Sequence, residues 1–212
     1  MSDRIEQKEI KVLLERVLTA KSVHDLDSEA VSRQIKKLAE TTVVYSDNKI
    51  PEPAATEIIS AFLQGHPGAA LCRIVELRSG RSLRDQSPLG WQPVNLESGS
   101  HFSSNYLYLL SSFINAMSRV VEVRKEYITS CCARAALLEL KSSEFMQHRD
   151  KSPTDSPTAR AISSHLHLIY NVSIWESLRA ELGEQLRLEG FFPILKELTK
   201  SRSLSFHFTS FN

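Results

Sequence analysis

Pro67-Gly68-Ala69-Ala70-Leu71-Cys72-Arg73-Ile74-Val75-Glu76-Leu77-Arg78-Ser79 sets Leu71, Ile74, Val75 and Leu77 at the steps of one helix face. Gly65-His66-Pro67-Gly68 stops the element before it, and Pro67 sits where a first-turn proline costs no hydrogen bond. The spacing predicts a helix over 69–78. Cys72 falls within its apolar stripe and reads as a small core residue.

The same periodicity extends in both directions. Upstream, Pro53 to Leu63 carries Ile58, Ile59 and Phe62, and Ser28 to about Val44 carries Val31, Ile35, Leu38 and Val43. Ser28 resembles an N-cap. The β-branched run Thr41-Thr42-Val43-Val44-Tyr45 also fits a short strand. Asp47-Asn48-Lys49 and the prolines at 51 and 53 break that element. From Ile5 onward, Ile10, Leu13, Leu14, Val17 and Leu18 define a further helix face. Downstream, residues 80–103 lose all periodicity, hold Trp91, and form a loop long enough to be functional or mobile. Helical patterning resumes at Ser104 through Tyr106, Leu109, Leu110, Phe113 and Ile114, and continues over 120–130 and 133–147. A polar break at Lys151 to Pro157 precedes two or three helices over 158–200 and a tail, Ser201 to Asn212. Strand–helix alternation is absent, so the expected class is all-α.

Composition narrows function. In 212 residues, hydrophobic types make up 42% and charged types 24%, the balance of a globular chain. Lys and Arg number 26 against 25 Asp and Glu, so there is no electrostatic case for nucleic acid or an anionic membrane. The start, Ser2-Asp3-Arg4-Ile5-Glu6, lacks an apolar signal core, and no apolar run is long enough for a membrane span. The cysteines, Cys72, Cys131 and Cys132, are badly spaced for a disulfide framework. A reducing cytoplasmic or nuclear setting is expected.

Two segments line up with one another. Phe113-Ile114-Asn115-Ala116-Met117-Ser118 leads through a helix to Cys132-Ala133-Arg134-Ala135-Ala136-Leu137-Leu138-Glu139-Leu140. Ile169-Tyr170-Asn171-Val172-Ser173 leads likewise to Glu189-Gly190-Phe191-Phe192-Pro193-Ile194-Leu195. The Pro67 to Ser79 stretch is a third copy of the second half. These segments resemble the armadillo repeat, most closely at Gly190-Phe191-Phe192-Pro193-Ile194-Leu195. In such a unit glycine lets two helices meet at a sharp angle and proline opens the second. In the second unit Cys131 and Cys132 stand in place of the turn glycine, and Asn115 to Asn171 exceeds the about 40–47 residues of such units. The excess falls in the polar break, where insertion costs little.

The resemblance implies a short right-handed superhelix of about three irregular repeats with long inter-helix loops. Residues 1–212 would form one domain: N-terminal helices over 1–50, repeat units over 53–200, and the tail 201–212. One unit comprises 53–65, 67–79 and 104–118; a second comprises 120–130, 132–147 and 158–173. Helices 175–189 and 190–200 begin a third, whose apolar face needs a cap from the tail or from a partner. In family members with peptide grooves, the asparagines equivalent to Asn115 and Asn171 bond the backbone of an extended ligand, a task suited to an amide. The tryptophan carried one turn earlier by such grooves is replaced by Ser111 and His167. The other reading is that each asparagine ties its inter-helix turn. The groove set is then Ser111, Asn115, Arg119, His167, Asn171 and Trp175, at four-residue spacing along each helix and its end.

Reactive motifs are missing. The sequence holds no Gly-x-Ser-x-Gly, His-Glu-x-x-His, phosphate-binding glycine loop or Cys-x-x-Cys. His165 and His167, two apart, point to different helix faces and cannot jointly grip a metal. No cofactor or metal is expected. Ser152-Pro153 and Ser156-Pro157 suit proline-directed kinases and equally suit a plain turn-rich loop. Asn171-Val172-Ser173 matches a glycosylation acceptor, which means little without a secretory signal. The expected function is a non-catalytic adaptor or scaffold that takes a protein segment in its groove or a cap on its C-terminal face. Alternatives are a regulator of a small GTPase, which the resemblance also admits, and an obligate structural subunit, homo-oligomers included.

Overall fold

The computed structural model of the chain describes residues 6–46, 52–83, 106, 109–111, 125–126, 132–140, 166, 168–170, 172–188 and 190–198. The first helix, α1 (Gln7–Thr19), buries Ile10, Leu13, Leu14 and Val17, the expected face. Removing four such side chains from water contributes roughly 2 kcal/mol each. Its start is tied by the Glu6 N–H, which donates to Glu9 Oε2 at 2.9 Å. Glu9 Oε1 also accepts from Lys37 Nζ at 3.0 Å, joining α1 to the next helix.

A single 3₁₀ turn, Val23–Leu26, pins Val23 and Leu26 into the core. Asp25 Oδ2 accepts from the N–H groups of Lys21 and Ser22 at 2.7 and 2.9 Å. Helix α2 (Glu29–Ser46) opens as expected: Ser28 Oγ accepts from the Val31 N–H at 3.3 Å. The strand alternative at Thr41–Tyr45 does not hold, because α2 runs through all five residues. A helix already nucleated over Glu29 to Leu38 gains one backbone bond per added residue, which outweighs a weak β preference.

Helix α3 (Glu52–Gln64) and helix α4 (Pro67–Ser79) meet at Gly65 and His66. A β-carbon at Gly65 would run into the side chain of Leu14, so α1 and this corner touch closely. His66 takes the left-handed conformation at φ 50°, ψ 63°, and Pro67 opens α4 at its first position. The helix outruns the expected 69–78 at both ends. Its core face holds Ala70, Leu71, Cys72, Ile74 and Val75. Arg73 Nη2 donates to the Ala20 carbonyl at 2.8 Å, fastening α4 to the end of α1.

Helix α5 (Cys132–Leu140) is buried along its whole length, charged residues Arg134 and Glu139 included. It lies between α4 on one side and α6 (Glu176–Leu188) on another. Two contacts set its direction against α4. Cys132 Sγ lies 3.7 Å from Cys72 Sγ, and Glu139 Oε1 lies 2.5 Å from Arg78 Nη1. Both contacts ascend the two helices together, so α4 and α5 run parallel. Helix α6 turns Leu178, Leu182 and Leu186 inward at four-residue steps. Gly190, at φ 74°, makes the left-handed corner into α7 (Phe191–Leu198), the role read for it from sequence.

Tyr106, Leu109–Ser111, Lys125, Glu126, Leu166, Leu168–Tyr170, Val172 and Ser173 are also helical, inside the helices expected over 104–118, 120–130 and 158–173. Among the described residues there is no strand, and the buried side chains form one core. This part of the chain is all-α.

Candidate functional site

The groove residues fall unevenly. Asn115, Arg119, His167 and Asn171 lie outside the described residues, as do Ser152, Ser156 and the tail 201–212. Ser111, expected to line a groove, is wholly enclosed beside buried Leu110, and its Oγ has no hydrogen-bond partner. Its turn of helix faces the core, so Ser111 offers no surface to a partner. Trp175 lies at the surface, 42% exposed.

Trp175 sits on a well-braced corner. The preceding helix closes with the Ile174 N–H donating to the Tyr170 carbonyl at 3.2 Å and the Trp175 N–H to Val172 at 3.3 Å. The Trp175 carbonyl then accepts from Leu178 and Arg179 N–H at 3.1 and 3.0 Å, which starts α6. Ser173 Oγ donates to the Tyr170 carbonyl at 2.7 Å. The Arg179 guanidinium reaches back across the corner, Nε to the Ser173 carbonyl at 2.8 Å and Nη2 to the Ile174 carbonyl at 3.1 Å. A fixed cation on helix-terminal carbonyls satisfies acceptors that the helix leaves open and complements its dipole. The result is a rigid platform that presents Tyr170, Ile174 and Trp175 to solvent, with Ile174 53% exposed.

A second apolar cluster stands at the other end of α6. Leu188 and Phe192 flank the Gly190 corner at 66% and 56% exposure. Phe191, buried, meets the Phe192 ring edge-on at 6.3 Å, holding Phe192 in place. Thirteen helical residues put the two clusters about 20 Å apart. The exposed rim of α6 between them is charged, with Glu184 and Arg187 paired at 2.6 Å. Sequence reasoning named Trp175, which is exposed, and did not name Ile174, Leu188, Phe192 or the brace Arg179. Apolar residues at a helix end are read as core unless tertiary packing shows otherwise.

Ionisable groups elsewhere serve structure. Glu126 Oε1 accepts from the Gly68 N–H at 3.1 Å, a carboxylate at the start of α4 where His66 supplies no side-chain cap. Burial holds its carboxyl above the usual range, against opposing pulls from the Gly68 N–H and His66. Burial pushes the Tyr106 hydroxyl up as well. The two N–H bonds at Asp25 draw its carboxyl down.

Among the described residues, no group of three or more His, Cys, Asp and Glu side chains could hold a metal ion. Among them, too, no helix is long and apolar enough to cross a membrane. No protein-family model matches the chain, and the comparisons with curated proteins and with solved structures returned no match.

Proposed function

We propose that the chain is a protein-interaction module, an adaptor or scaffold without catalysis, whose helices continue an armadillo-like arrangement. The observation that supports this reading is the braced corner bearing Tyr170, Ile174 and Trp175. Tyr170 and Ile174, four residues apart, share one face, and Trp175 extends it. Rigid aromatic and branched side chains lose little entropy on binding and commonly anchor protein partners. The partner is an amphipathic or extended protein segment with apolar side chains, running from this corner along α6. Asn171, which adjoins the corner in sequence, would add amide bonds to the segment's backbone together with Asn115, Arg119 and His167. Phosphates on Ser152 and Ser156 would add charge to the polar segment between the helical units and so tune binding.

The test is affinity capture from a lysate with the intact chain, Ile174→Ser/Trp175→Ala and Asn115→Ala/Asn171→Ala, alongside circular dichroism. The first double variant is expected to lose a partner that the intact chain retains, with helical content unchanged. A partner held equally by both variants would sink the assignment. Self-association lost in the Trp175 variant, seen by sedimentation, would make the partner a second copy and the chain a homo-oligomeric subunit.

A further inference from the structure

We propose that Cys72 and Cys132 are a peroxide-oxidised thiol pair whose disulfide staples α4 to α5. Their sulfurs are in van der Waals contact at 3.7 Å, each on a regular helix, and both are thiols here. A disulfide needs about 2.05 Å, so the sulfurs must close by less than 2 Å, within the reach of side-chain rotation. Cys132 Sγ also lies 3.5 Å from the Gly68 carbonyl, one turn before Cys72, which seats it against this turn of α4. The Arg78–Glu139 ion pair about two turns further along stops the parallel helices from sliding and keeps the sulfurs opposite one another.

The oxidant is a hydroperoxide. Cys72, 7% exposed against 0% for Cys132, is the sulfur that meets it when the seam opens locally. Cys72 gives its proton to solvent, its sulfur attacks a peroxide oxygen, the O–O bond breaks and hydroxide leaves, giving a sulfenic acid. The Cys132 sulfur then attacks the Cys72 sulfur. The S–O bond breaks and the departing hydroxide takes the Cys132 proton as water. In sum, two thiols and one hydrogen peroxide give one disulfide and two waters. The second step is intramolecular between groups already in contact, so it outpaces further oxidation of the sulfenic acid. The closed loop spans a sequence separation of 60 residues, enough for a large loss of unfolded-state freedom. Thiol reductants reverse the bond.

The experiment treats the full chain with a small excess of hydrogen peroxide, denatures it in N-ethylmaleimide, and maps the non-reduced peptides by mass spectrometry. The expected product is a cross-link between the Cys72 and Cys132 peptides, two hydrogens lighter, with Cys131 alkylated. Cys131→Ser keeps the cross-link and Cys72→Ser abolishes it. The map of the unaltered chain decides the matter even if a variant fails to fold. The oxidised chain is expected to melt higher by on the order of 5–10 °C, and dithiothreitol returns it. A vicinal Cys131–Cys132 bond, a Cys72 sulfinic acid beside alkylated Cys132, or three alkylated thiols would overturn the pairing. A cross-link with no rise in melting temperature would overturn the staple.

Discussion

Arg78 of α4 and Glu139 of α5 meet inside the protein, Nη1 to Oε1 at 2.5 Å, with side-chain exposures of 1% and 0%. Two charges taken from water cost several kcal/mol each, which their attraction offsets only in good geometry. Such a pair adds little net stability over apolar neighbours, but losing one member takes an ion-pair partner from a charge held in the interior. Glu139→Ala is therefore expected to destabilise by about 3–5 kcal/mol, whereas Arg78→Met/Glu139→Leu stays near the parent. Urea titrations of the three proteins check this. A double variant as damaged as the single would show that the pair stabilises rather than specifies.

Gly65→Ala is expected to cost about 1–3 kcal/mol, because its new methyl overlaps the Leu14 side chain. Leu14→Ala alone should cost about 2–5 kcal/mol through the cavity it leaves. Combined, the two should cost less than their sum, since each relieves the other. Additive losses in a double-mutant cycle would mean that the corner shifts away from α1 freely.

Asp25 gives stability a pH slope of one sign. Its folded carboxyl lies below the ordinary 3.8, held down by the Lys21 and Ser22 N–H groups. Its contribution is full above 3.8 and is lost as pH falls through the lower folded value. Asp25→Asn should flatten the acid limb of a stability–pH curve. An unchanged acid limb would show those two bonds to be inert.

Glu126 gives the opposite slope. Burial raises its folded value above 4.5, so the fold holds the proton that the unfolded chain has released. Stability falls as pH rises from 4.5 to the folded value, then levels off. Glu126→Gln keeps an oxygen for the Gly68 N–H and should remove this decline, leaving the neutral-pH protein at least as stable as the parent. A less stable Gln variant at neutral pH would mean that the carboxylate's charge on the α4 terminus outweighs its burial.

Arg179→Met is expected to leave helical content intact while loosening the corner, about 1 kcal/mol in stability. Amide exchange at Ile174, Trp175 and Leu178 should quicken. Exchange unaltered at these amides would locate the brace elsewhere.

Much of this architecture was legible where the signal is local. Ile10, Leu13, Leu14 and Val17 follow helical steps and are buried; Ser28 caps α2 by its own side chain; Gly190 turns into α7. At Thr41–Tyr45 the helical reading to about Val44 holds over the strand alternative, because β-branched residues describe preference and not context. The charges on α5 left no trace, since Arg78 and Glu139 are partners across 61 residues and nothing nearby signals it. Ser111 is assigned to a groove by the armadillo resemblance and by spacing, and spacing sets which residues share a face without saying which way that face turns. Of the candidate surface, Trp175 was found by its place at a helix end. Its companions Ile174, Leu188 and Phe192 carry no such mark in the sequence, because only tertiary packing decides whether an apolar side chain stays wet.

The burial of α5 on every side ties α4 to α6. Helix α4 and helix α6 lean on the same nine residues, so neither can melt without wetting them. Cutting the protein on either side of 132–140 leaves one piece carrying α5 and the other with an empty trough where it belongs. Two such pieces made in the same cell would seek each other through that helix, and reassembly, more than the survival of either half, would show that α5 is common property.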